Sequence, residues 1–198
     1  MSEWWTYRLS DFLMFSPEIY WRLVERYNRG VWPLQLFALA AAGLLLWLAI
    51  APRSGAQRAT PALLAVAWLC TGWAFHWQRY ATINWAAQYF AVAFGVQTVL
   101  LLAAARFDAG RAVEPARPVA RRMGLIVAAG GVLLYPLVGL PAGRPLAQAE
   151  VFGLMPDPTA LTTLGLLLAS RLRYRRWLAI IPALSFAAGL LTLWMMAQ

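Results

Sequence analysis

Lysine is absent from this chain, and cysteine and histidine occur once each, as Cys70 and His76. One thiol closes no intramolecular disulfide and builds no cysteine-pair metal site. That excludes a disulfide-stapled scaffold and a metal carrier working through paired thiols. Charge is also scarce: only 13% of the 198 residues are charged, about half the share of a soluble domain. Apolar residues take that place, at 62%, with 11 Trp, 7 Tyr and 9 Phe. A soluble globule of this length cannot cover so much apolar surface, and a disordered chain would not carry it. The composition is that of a polytopic membrane protein.

The net charge is +9, and every cation is Arg. A GC-rich genome writes such an Arg-only set, so no function is read from it. A basic balance also marks nucleic-acid binders. These arginines, however, stand in short blocks beside apolar stretches, as membrane orientation signals do, and no nucleic-acid partner is expected.

Residues 1–15 contain Glu3 and Asp11 and lack the basic start and apolar run of a signal peptide. Trp4, Trp5 and Tyr7 suit a water–lipid boundary. Ser16 followed by Pro17 reads as an N-cap and first helical residue, with Gly30 as the stop. At about 100° per residue, Ile19, Tyr20, Leu23, Val24 and Tyr27 share one side. Glu18, Arg22, Glu25, Arg26 and Arg29 share the other, with Glu18–Arg22 and Glu25–Arg29 spaced as helix ion pairs. Residues 1–30 are therefore expected to form an interfacial segment around an amphipathic helix that lies on a membrane or against the bundle.

Six apolar stretches occupy residues 31–198: about 32–51, 61–77, 85–105, 123–140, 158–170 and 177–196. The expected fold is all-α, a bundle of six transmembrane helices behind the interfacial helix. Pro136 and Pro182 are expected to bend the fourth and sixth spans. The connections after spans one, three and five carry Arg53, Arg58, Arg106, Arg111, Arg117, Arg121, Arg122, Arg171, Arg173, Arg175 and Arg176. The opposite connections carry Arg79 and Arg144. The positive-inside rule places the first group in the cytoplasm and both termini outside.

The polar residues that orientation leaves over gather on the outer side. His76 and Arg79 end span two, and Asn84 and Gln88 open span three. Asn84, Gln88, Ala91, Gly95 and Thr98 share an arc of about 80°, a polar and small face that must meet a helix or water. The long fourth connection holds Arg144, Gln148, Glu150 and Asp157. In Pro156-Asp157-Pro158-Thr159, Asp157 reads as the cap of a short helix opening at Pro158. That reads either as an ordinary loop with a capped helix or as a re-entrant half-helix. Arg79 or Arg144 is expected to pair with an outer acid, foremost Glu150, because a lone charge at a low-dielectric boundary is costly.

Three stretches, Trp4–Asn28, Ile83–Phe90 and Phe152–Leu168, resemble a bacterial domain-of-unknown-function family of small polytopic membrane proteins, sometimes labelled permease. In the pattern of that family a Cys often stands where this chain has Asp157. The resemblance implies a multi-span protein of the bacterial inner membrane and no particular substrate.

The chain shows no G-x-S-x-G, no H-E-x-x-H and no phosphate loop with its Lys. Neither enzyme activity, nor a cofactor, nor a metal is expected. The leading expectation is permease- or channel-like passage of a small solute or ion through an outer polar site. Its substrate-binding candidates are His76, Arg79, Asn84, Gln88, Glu150, Asp157 and Thr159. The alternative is a non-transporting membrane interaction or assembly partner. The expected surroundings are the lipid bilayer, with a homo-oligomer or a membrane-protein partner left open.

Overall fold

The computed structural model describes residues 14–51, 55–107 and 117–198. The expectations for Glu3, Trp4, Trp5, Tyr7, Asp11, Arg53 and Arg111 lie outside them.

Helix α1 runs Pro17–Gly30 as its signals predict, and the Ile19 N–H donates to Ser16 Oγ at 3.5 Å. Its buried line is Tyr20, Val24, Tyr27 and Asn28, while Ile19 is exposed. The stripe is rotated from the expected one because two polar anchors set it. Tyr27 donates to Leu154 O at 3.3 Å, and Asn28 Nδ2 donates to Ala147 O and Ala149 O at 2.9 Å each. Of the two expected ion pairs, Glu25–Arg29 forms and Glu18–Arg22 does not close. Helix α2 (Leu34–Ile50) leaves α1 at 88°, so α1 packs beside the bundle and is not a straight backward extension of α2.

Helix α3 (Ala56–Cys70) continues through a π-helical turn, Thr71–Trp77. It opens five residues before Pro61, which the helix accommodates internally. Helix α4 covers Ala87–Phe107. Helix α5 (Pro118–Ala129) continues through a second π-helical turn, Gly130–Leu134, and a 3-10 turn, Tyr135–Leu137, that holds Pro136. Helix α6 is Pro156–Ala169, α7 is Arg175–Leu178 and α8 is Ile180–Met196. Pro182 follows by three residues the break at Ala179 that separates α7 from α8 within the Arg175–Met196 stretch, where a proline removes a backbone donor. No strand occurs among the described residues.

Three helices, Ala87–Phe107, Pro118–Ala142 and Arg175–Met196, are long and apolar enough to cross a membrane. The bent pair α1–α2 is a fourth candidate if it counts as one span. The expected second and fifth spans fall short for different reasons. The second, 61–77, is diluted by Thr71, Gly72 and His76. Helix α6 has 14 residues, about 21 Å at 1.5 Å per residue, against a hydrocarbon core of about 30 Å.

Helix α6 is the centre of the bundle. Ten of its 14 residues are buried, so it meets protein on nearly every side. Its approach to α5 is set by missing side chains: a Cβ on Gly165 would lie 2.6 Å from Gly124 O and 2.8 Å from Ala128 Cα. Gly131 faces Thr162 in the same way. Small residues let two helix backbones meet this closely. Helix α3 packs on α4 through Trp68 and Phe94, whose rings lie 4.2 Å apart, and a Cβ on Gly72 would meet Phe94 Cβ at 2.7 Å.

Successive long helices alternate in direction. Arg121 Nη2 reaches Ala49 O and Ile50 O, each at 3.0 Å, joining the start of α5 to the end of α2. Ala104, Leu167, Leu172 and Leu178 join the ends of α4 and α6 to α7. The described arginines of the expected cytoplasmic group sit at this end. At the other end, Tyr20, Phe75, Tyr80, Ala87 and Met155 gather α1, the π-helical turn and the starts of α4 and α6.

Candidate functional site

The site lies at the end away from the arginine-rich connections. The π-helical turn that continues α3 keeps Thr71, Gly72, Phe75 and His76 turned inward. A wider turn of this kind adds a residue to the helical repeat and re-aims the side chains beyond it. His76 is therefore a core residue, 3% exposed, with its ring stacked on Phe90 at 5.6 Å and edge-on to Phe94 at 4.7 Å. Neither of its nitrogens has a hydrogen-bond partner among the described residues.

Asp157 approaches from the central helix and is also 3% exposed. It does not cap α6. The helix opens at Pro156 with Met155 at the cap position, so Asp157 lies in the first turn. The Tyr135 hydroxyl donates to Asp157 Oδ2 at 3.0 Å, and Oδ1 has no partner among the described residues. Helix α8 makes room by offering Gly189, where a Cβ would overlap the Asp157 carboxylate.

Between these groups is a cavity of about 70 Å³, lined by His76, Asn84, Asp157, Tyr20, Tyr80, Phe75, Phe90, Ser185, Gly189 and Thr192 among others. The structure thus brings together three of the seven candidates, His76, Asn84 and Asp157. Asn84 is held locally, its Oδ1 accepting from Ala86 N at 3.0 Å and its Nδ2 donating to the Tyr80 hydroxyl at 3.2 Å.

The other four lie elsewhere. Arg79 and Gln88 are exposed and line no part of the cavity. Thr159 is fully buried, but its hydroxyl is used within the chain, accepting from Gly153 N at 2.8 Å and donating to Met155 O at 2.6 Å. Glu150 sits behind Tyr135 in a second void of about 10 Å³ shared with Arg144 and Gln148. Burial pushes the Glu150 carboxyl above its ordinary range, and the Asp157 charge adds to the push while Arg144 opposes it.

The expected Arg–acid pair does not form. The one ion pair among the described residues is Glu25–Arg29. The Arg144 guanidinium instead lies 3.7 Å from the centre of the Trp21 ring on α1. A cation over an indole face finds partial compensation without a carboxylate, and Arg79 is exposed. The polar arc expected in α4 holds in part: Thr98 is buried, while Gln88 is exposed and Gln97, outside the arc, is buried, because packing of Phe90 and Phe94 on His76 and of Phe94 on Trp68 sets the helix rotation. Gln97 Nε2 donates to Leu178 O at 3.0 Å, a structural tie to α7.

Ser185, Gly189 and Thr192 were not among the expected site residues. They recur at spacings of four and three, a small and polar stripe on one side of an otherwise apolar helix. Tyr20 reaches the cavity because α1 packs against it, and Tyr80 reaches it from the turn that follows α3.

Fold and site together define a class: an all-helical bundle with three to four helices apolar enough to cross a membrane, which is compatible with a membrane protein, and a buried polar cavity at one end. The chain belongs to a family of unknown function, DUF6064, whose model matches residues 17–196. The matched region contains Ile83–Phe90, Phe152–Leu168 and residues 17–28 of the three stretches that carried the resemblance. No curated protein and no solved structure matches the chain.

Proposed function

We propose that the chain is a six-span protein of a bacterial inner membrane that passes a small solute or ion through the His76–Asp157 cavity. In this reading the arginine-rich end faces the cytoplasm, following the positive-inside rule. The cavity and both termini then face outward. Exposed Trp32, Trp73, Trp77 and Trp85 at the cavity end, and Trp177 and Tyr174 at the basic end, suit the two aromatic belts of a bilayer protein. The short α6 and the polar α3 pass cross as inner elements, shielded by the longer, more apolar helices.

The observation that carries the reading is the depth of the cavity. Its lining runs along α8 from Leu193 to Ser185, about 12 Å at 1.5 Å per residue. That takes it from the outer end to the middle of a 17-residue helix. A polar cavity reaching mid-bundle, with unpartnered buried nitrogen and oxygen atoms, suits a solute better than it suits packing. Below it the Trp68–Phe94 contact and the Gly124–Gly165 crossing close the bundle. Passage then requires the helices to rearrange, as in a carrier with alternating access.

The test is flux into vesicles containing the purified chain, with methylammonium, acetate and glycerol as probes. Faster entry of at least one probe than into protein-free vesicles, altered by Asp157→Asn, supports the reading. Equal entry of all three overturns it. A second reading, a membrane assembly partner, draws on the Trp73 and Trp77 rings, which stack outward at 6.3 Å, next to the exposed Trp85. Co-purification of a stoichiometric membrane partner that Trp73→Ala and Trp77→Ala release, in a chain without flux, would favour it.

A further inference from the structure

We propose that the His76–Asp157 cavity selects a small organic ammonium cation, a primary or methylated amine of up to about five non-hydrogen atoms. This rests on reading the cavity as a solute site, and it supplies the charge and size of the solute.

The sign of the charge comes from the residues that line the space. Among the described residues, Asp157 is the only acid in the lining, and no Arg is part of it. A buried carboxylate with one hydroxyl donor is under-compensated. Its Oδ2 takes the Tyr135 hydroxyl, while Oδ1 has no partner among the described residues. The first turn of α6 favours negative charge at its N-terminal end, and Asp157 itself supplies it. The arginines that would suit an anion are turned away, Arg79 to the outside and Arg144 onto Trp21.

An organic cation fits better than a metal ion. No group of three or more His, Cys, Asp or Glu that could hold a metal occurs among the described residues. The walls are instead aromatic. Tyr20 and Tyr80 rings meet edge to face at 5.8 Å, and Phe75 stacks on Tyr80 at 5.6 Å. Aromatic rings lining a space beside a carboxylate are the general recognition chemistry of alkylammonium groups. Neutral imidazole always presents one bare nitrogen, so His76 can accept a second ammonium N–H. The Thr192 hydroxyl gives its proton to Ala188 O at 2.9 Å and keeps its oxygen as an acceptor. Size comes from volume: about 70 Å³ is room for about five water-sized groups.

The experiment is calorimetric titration of the full chain in detergent with ethanolammonium chloride and trimethylammonium chloride. Tert-butanol serves as the neutral isostere, sodium chloride as the inorganic cation and sodium acetate as the anion. The expected result is saturable binding of an ammonium salt about 10–100-fold tighter than tert-butanol, the scale of a hydrogen bond to a charged group. Asp157→Asn is expected to remove about the same factor, and Ser185→Ala much less. Equal binding of tert-butanol, preference for sodium or acetate, or no saturable ammonium binding overturns the inference. The wild-type comparison decides the matter even if the Asp157 variant does not fold. Ammonium binding without vesicle flux would overturn transport and leave this site standing. Flux of acetate or glycerol without ammonium binding would do the reverse.

Discussion

One added methyl group at Gly165 should separate two helices, while the same group at Gly43 should not. Both glycines lie inside helices, where alanine is favoured by about 0.5–1 kcal/mol. At Gly43 nothing lies within 4 Å of a built Cβ, so Gly43→Ala should gain that amount. At Gly165 the new atom would sit 2.6 Å from Gly124 O and 2.8 Å from Ala128 Cα. Ordinary contacts begin at 3.4 Å, so the α5 and α6 backbones must part by several tenths of an ångström. Backbone cannot swing aside as a side-chain tip does, and overpacking of this kind costs about 1–3 kcal/mol. Subtracting the propensity gain leaves a net loss of about 0–2.5 kcal/mol. At roughly 2–4 °C per kcal/mol for a chain of this size, Gly165→Ala should lower the melting temperature by up to roughly 10 °C. Gly43→Ala should raise it by roughly 1–4 °C. Thermal unfolding followed by tryptophan fluorescence in one detergent reads both. If Gly165→Ala is as stable as Gly43→Ala, the close α5–α6 crossing is wrong.

Asn28→Ala should loosen α1, since it strips a donor from the Ala147 and Ala149 carbonyls. A cost of about 1–3 kcal/mol should appear as faster amide exchange in residues 17–30. The Glu150 carboxyl is held above its ordinary value of 4.5 by burial first and the Asp157 charge second, so the folded chain binds more protons than the unfolded one above that pH. Its contribution is complete below pH 4.5 and is lost as pH rises through the raised value. Glu150→Gln should therefore flatten a stability profile that otherwise falls toward alkaline pH, as melting temperature against pH will show. If the basic end is cytoplasmic, single cysteines at Arg117 and Arg173 should resist a membrane-impermeant reagent in intact cells, and one near Arg144 should react. Labelling at Arg117 from outside would reverse the orientation.

The all-helical class and the bounds of α1 were legible because local chemistry writes them. Ser16-Pro17 can start a helix with no help from the rest of the chain, and a 62% apolar content points to helices that meet lipid or one another. The approximate positions of the helices behind α1 came from apolar run length. The grouping of His76, Asn84 and Asp157 at one end came from alternation of those helices. Helix rotation and pairing were not legible, since they are settled between elements. Gln88 was favoured because it is polar, yet the rings of Phe90 and Phe94 turn α4 so that Gln97 faces inward. Arg144 and Glu150 have the right charges for a pair, but Trp21, on a helix distant in the chain, takes the guanidinium. Asp157 could have capped a helix by its own local geometry. Only the Tyr135 hydroxyl and the bare backbone at Gly189 turn it into the wall of a cavity. Sequence determines what each segment can form alone, whereas the site exists where segments distant in the chain leave space between them.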